Sequence, residues 1–135
     1  MALLTPTLPM APAQAQEFLF GSIAISETGV FSAVNNLPTQ EEAEQAALSE
    51  CEDRSRGCQM ATWFRNACGA LATAPDLSWG ASWGVTVDAA EIAALELCGE
   101  YSDQCSIKES LCTANVNTDA PAIPNRGDRT TTNVK

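Results

Sequence analysis

Apolar and polar positions along this chain follow two periods, which change places in a fixed order. Phe20, Ser22, Ala24 and Ser26 alternate with Ile23 and Ile25, the two-residue period of a strand. Glu27-Thr28-Gly29 reads as a tight turn and Val30–Val34 as the returning strand. After a loop, Asn35-Asn36-Leu37-Pro38, the period lengthens to that of a helix. Thr39 and Glu42 have the spacing of a capping box, in which each side chain satisfies an unpaired backbone N–H. Ala43, Ala46, Ala47 and Cys51 form one stripe with Leu48 at its margin, while Glu41, Glu44 and Glu50 face water. Gln59–Asn66 returns to the strand period with apolar residues at both parities, which predicts cover on both faces.

The pattern then repeats. Ala43-Glu44-x-Ala46-Ala47-Leu48-x-x-Cys51 recurs as Ala90-Glu91-x-Ala93-Ala94-Leu95-x-x-Cys98, and at the same offset Thr39 recurs as Thr86 and Cys58 as Cys105. Gly69–Ala74, a Pro75-Asp76 turn and Leu77–Trp83 reproduce the strand–turn–strand unit. Ser106–Leu111 is the closing strand, expected to be shorter than its counterpart and ending in Cys112 where the first copy ends in Cys68. The prediction is an α+β fold of two pseudo-symmetric strand–strand–helix–strand repeats, about 20–68 and 69–112. They share an antiparallel sheet and carry two Ala-rich helices.

Composition narrows the partners. A chain of 135 residues suffices for one domain with a modest core. Seven basic against 17 acidic residues give a formal net charge of -10, which argues against nucleic acid or anionic lipid as partner. The absence of histidine removes Ser–His–Asp and Cys–His catalysis and every histidine-containing zinc site. No phosphate loop and no G-x-S-x-G pattern is present. No cofactor is implied, and no apolar run approaches the length of a membrane span. The uncharged start, with Ala13-Gln14-Ala15 at its end, reads as a partial signal peptide over 1–15. The expected location is therefore secreted or periplasmic. The stretch 115–135 is polar, rich in Pro, Asn and Thr, and expected to be a disordered tail.

The segments GSIAIS, EEAEQAALSEC, CQMATWFRNACGALA and SWGASWG, with the helix and cysteine after the last, resemble the DUF4189 family of bacterial secreted domains. The resemblance covers Phe20 to Ala114, within a domain placed at about 18–114. It rests on WFRNACGALA and on both A-E-x-A-A-L-x-x-C helices. It implies a small exported domain, alone or attached to other modules, and no established activity.

Six cysteines in such a domain predict three disulfides. Zinc would ask for C-x-x-C pairs or histidine, and neither occurs. Treating Cys51, Cys58 and Cys68 as the counterparts of Cys98, Cys105 and Cys112, a symmetric pairing needs at least one bond between equivalent cysteines. Cys51 closes a helix and Cys58 opens the next strand, with a loop that can join them; Cys98 and Cys105 stand in the same relation. That leaves Cys68–Cys112 as the expected bond between the repeats.

Two groups of residues are candidates for recognition. Trp79 and Trp83 share a strand face and can stack on sugar or clamp a peptide, or else cover the alanine helices. Trp79 is expected in the core and Trp83 partly exposed. Trp63, Arg65 and Asn66 can form a recognition edge; alternatively Trp63 fills the core, Arg65 pairs with a helix carboxylate and Asn66 caps a turn. The helical glutamates lack calcium-loop spacing and read as a solvated face. The function expected is a non-enzymatic binding or interaction module for an extracytoplasmic protein or glycan. Alternatives are an inhibitor or immunity-type protein, or a small carboxylate-dependent hydrolase.

Overall fold

The computed structural model of the protein describes residues 3–6 and 18–116. Most of the expected leader and the tail beyond 116 lie outside the described residues. The elements run β1 (Phe20–Ile25), β2 (Phe31–Leu37), α1 (Gln40–Glu52), β3 (Gln59–Arg65), β4 (Cys68–Thr73), β5 (Trp79–Gly84), α2 (Val87–Gly99) and β6 (Ser106–Cys112). The α+β class and both strand–strand–helix–strand units are present. The antiparallel strands divide between two three-stranded sheets, ordered β2-β1-β3 and β5-β4-β6.

The sheets face each other and each carries its helix on the outside. Ile23, Ile25, Phe64, Leu71, Trp79, Ala81 and Trp83 from both sheets form the largest apolar cluster. Ala24, Ala47 and Cys51 join α1 to the first sheet, and Ala70, Ala72, Ala90, Ala94 and Cys98 join α2 to the second. Four thin layers result. This explains the apolar residues at both parities, since each sheet has a helix on one side and its sister sheet on the other.

Close packing sets which residues fit where. Phe64 lies between the sheets, and a Cβ on Gly21 or Gly69 would strike its ring. Gly80 and Gly84 face α2 so closely that a Cβ would meet its backbone at Cys98 and Ala90. Both helices carry the threonine half of the expected cap: the Thr39 hydroxyl accepts from the Glu42 N–H and that of Thr86 from the Ala89 N–H, each at 3.1 Å.

All six cysteines are paired, Cys51–Cys58, Cys98–Cys105 and Cys68–Cys112. The last bond, however, does not join the halves. Cys68 opens β4 and sits opposite Cys112 on β6, so the bridge ties neighbouring strands of the second sheet. The register identifies the true counterparts. Phe20 faces Arg65 in the first sheet where Cys68 faces Cys112 in the second, and in both pairings a bulge follows three residues later. The expectation of a shorter final strand also fails, because β3 and β6 each have seven residues.

Candidate functional site

The tryptophan surface does not exist. Trp79 and Trp83 are 2% and 5% exposed, so the expected partial exposure of Trp83 is wrong. Their face is turned to the sister sheet rather than to α2, because only the glycine face of β5 lets the helix approach. Asn66 is buried as well, with a positive φ of 48° at the crossing from β3 to β4. Its carboxamide oxygen accepts from the Leu19 N–H at 3.0 Å and from the Asn115 side chain at 2.6 Å. Thr113 joins the same knot by accepting from the Ala67 N–H at 3.1 Å. Asn66 therefore binds the chain to itself at the junction of the halves.

Trp63 and Arg65 do lie together, half-buried on β3, apart from the tryptophans of β5. Arg65 meets aromatic rings in place of the expected helix carboxylate. Its guanidinium lies over the Phe18 ring, 4.5 Å from the centroid, and 5.8 Å from that of Phe20. The Phe20 ring is 6.2 Å from that of Trp63. The group fastens the lead-in segment to the first sheet.

A concave site occurs elsewhere, where the two hairpin turns meet. The cleft has a volume of about 240 Å³ and is lined by residues of both turns, the ends of β1, β4 and β5, and Lys108 of β6. Each turn is held by its own hydrogen bonds. In the first, Ser26 N–H donates to Val30 at 2.8 Å and Gly29 N–H to Ser26 at 3.1 Å. The Ser26 hydroxyl accepts from the N–H groups of Thr28 and Val30. In the second, Ala74 N–H donates to Ser78 at 2.9 Å, Leu77 N–H to Ala74 at 3.0 Å, and Ser78 N–H to the Asp76 carboxylate at 3.1 Å. Gly29 and Leu77 both have positive φ, 89° and 70°. For leucine that conformation costs about 1–2 kcal/mol, and with 49% of Leu77 exposed the burial of the rest offsets only part of it. Ser78 lines the cleft too, fully buried, and its hydroxyl has no hydrogen-bond partner among the described residues.

A family model described as a domain of unknown function, DUF4189, matches residues 20–112. The chain belongs to that family. No match is found among curated proteins or among solved structures. The DUF4189 match opens on the first residue of β1 and closes on the last of β6, so the family unit is the pair of repeats. Both cleft-forming turns and Lys108 lie inside it. The cleft is not legible in the sequence because its parts are a turn in each half and one lysine about thirty residues further on. A leucine where a turn needs positive φ was the available signal. Among the described residues, no helix is long and apolar enough to cross a membrane, and no group of three or more His, Cys, Asp or Glu is placed to hold a metal ion.

Proposed function

We propose that this DUF4189 domain is an extracytoplasmic, non-enzymatic binding module whose ligand seats in the cleft between the hairpin turns. The observation that carries the reading is a concavity whose walls are tied down by hydrogen bonds within each turn, so little order has to be acquired on binding. The three disulfides support an oxidising compartment, secreted or periplasmic. A carboxylate-dependent hydrolase would ask for acids facing a cleft, and none of the described residues lining this one is an acid. An inhibitor or immunity-type role would use the same rigid frame and differs only in the ligand being a protein. The test is twofold. Protein from the native host should appear outside the cytoplasm without titratable thiol; a thiol-bearing cytoplasmic form overturns the compartment. Immobilised protein should retain a component of envelope extract or cell-wall glycan, and Lys108→Glu should release it. Retention unchanged by that substitution removes the cleft as the site.

A further inference from the structure

The two halves can be laid over each other by their strand registers, and two departures from symmetry fall in the cleft. Ile25 pairs with Phe31 across the first hairpin as Thr73 pairs with Trp79 across the second. Gly29 and Leu77 are then equivalent, and the matching turn hydrogen bonds agree. The first half meets the positive-φ position with glycine; the second holds a leucine there, half exposed at the lip of the cleft. The second departure is at the bulge. Ala61 is the unpaired residue between Thr62 and Met60, and Lys108 is its counterpart between Glu109 and Ile107. Ala61 is buried, whereas Lys108 is exposed and is the one charged residue among the described residues that line the cleft. The shared fold demands neither the leucine nor the lysine, as the first half shows.

We propose that the cleft takes the carboxylate end of an apolar ligand the size of one residue, with Lys108 meeting the carboxylate and Leu77 covering the apolar part. The proposal rests on the cleft being the binding site and adds the ligand's chemistry. A volume of about 240 Å³ is below the range of drug-sized and cofactor pockets, roughly 300–1,000 Å³, and suits a single side chain with its carboxylate. The anion expected is singly charged, because the turn N–H groups that a phosphate would need are spent on the turns themselves. The nearby acids point elsewhere. Glu27 lies against Gly57, and Asp76 accepts from its own loop. Ile25, Ala74, Pro75 and Trp79 supply the apolar wall.

The experiment is a titration of the oxidised full chain, followed by amide resonances, with N-acetyl-leucine, N-acetyl-leucinamide and 4-methylpentanoate. N-acetyl-leucine should give saturable shifts at Thr28, Gly29, Leu77 and Lys108, with the amide at least tenfold weaker. Lys108→Gln should bring the acid to the level of the amide, and Lys108→Arg should keep most of the difference. Leu77→Gly should weaken acid and amide alike, its spectrum otherwise reporting an intact fold. Binding of 4-methylpentanoate as tight as that of N-acetyl-leucine upholds the chemistry and points to a small acid; clearly weaker binding upholds it and points to a peptide chain end. Equal affinity for acid and amide overturns the carboxylate proposal and leaves the cleft as a site. The absence of cleft shifts with all three probes overturns both.

Discussion

The two halves of this domain share a topology, a helix cap and a local disulfide, and they differ in what they place on the surface. α1 turns Glu41, Glu42 and Gln45 to solvent; at the same offsets α2 turns Asp88, Ala89 and Ile92, the last 58% exposed. Where the second sheet has Cys68–Cys112, the first has Phe20 facing Arg65 with a guanidinium over aromatic rings. The positions between helix and sheet repeat because both halves solve one packing problem, a thin alanine helix on a three-stranded sheet. Positions that do not repeat are released from that problem. Leu77 and Lys108 are of this second kind, and they meet in one cleft.

The comparison breaks most readily at the shared core. Phe64 has no partner of its own size in the second half, where Leu111 occupies the equivalent register position opposite Gly69. Phe64→Ala should lower stability by about 3–5 kcal/mol in denaturant unfolding. Leu111, only partly buried, should cost less when truncated, and equal losses would mean that the halves do not share the Phe64 wedge.

The disulfides sharpen it next. On the loop-entropy model, removing Cys68–Cys112, with a sequence separation of 44, should cost about 4 kcal/mol. Removing either local bridge, each with a separation of 7, should cost about 2.5 kcal/mol. Double Cys→Ala variants measure the difference, and the two local bridges should agree with each other. A smaller effect for the long bridge would show that the sheet pairing holds those strands together in the unfolded ensemble.

Asn66→Ala should cost about 2–3 kcal/mol, since it strands the Leu19 N–H, removes the oxygen that accepts from the Asn115 Nδ2 and sets an ordinary residue at positive φ. Hydrogen exchange at Leu19 should rise with it. Thr39→Ala and Thr86→Ala should each cost about 1 kcal/mol. A marked inequality between them would break the equivalence of the caps.

The smallest effect carries the opposite sign. Leu77→Gly should raise stability by at most about 1 kcal/mol, because it removes an L-residue from the left-handed region but also gives up the half-buried side chain. A gain in melting temperature together with a loss of ligand affinity would show that the leucine is kept for binding. A loss of stability would show instead that Leu77 is held by its contact over Gly29, which a Cβ there would meet at 3.4 Å.

Short-range physics was legible in the residues. The capped helices, the strand periods, the turn at Gly29, the repeat and the two local disulfides depend on neighbours a few positions away, and each could be read from spacing alone. The long-range choices were not legible. Alternation said that Trp79 and Trp83 share a face of β5, but both faces of that strand are buried. Which face meets α2 was decided by contact distance, since Gly80 and Gly84 admit the helix and tryptophan does not. The equivalence of Cys68 with Cys112 followed the order of the cysteines, although it is out of step with the offset shared by the other pairs. It failed because Cys68 opens its strand as Phe20 does, and only hydrogen-bond register shows where a strand begins. The cleft belongs wholly to the tertiary structure: two turns 48 residues apart and a bulged lysine come together only when the sheets stack. A one-dimensional pattern records which side of a strand is apolar; what lies across from it depends on packing.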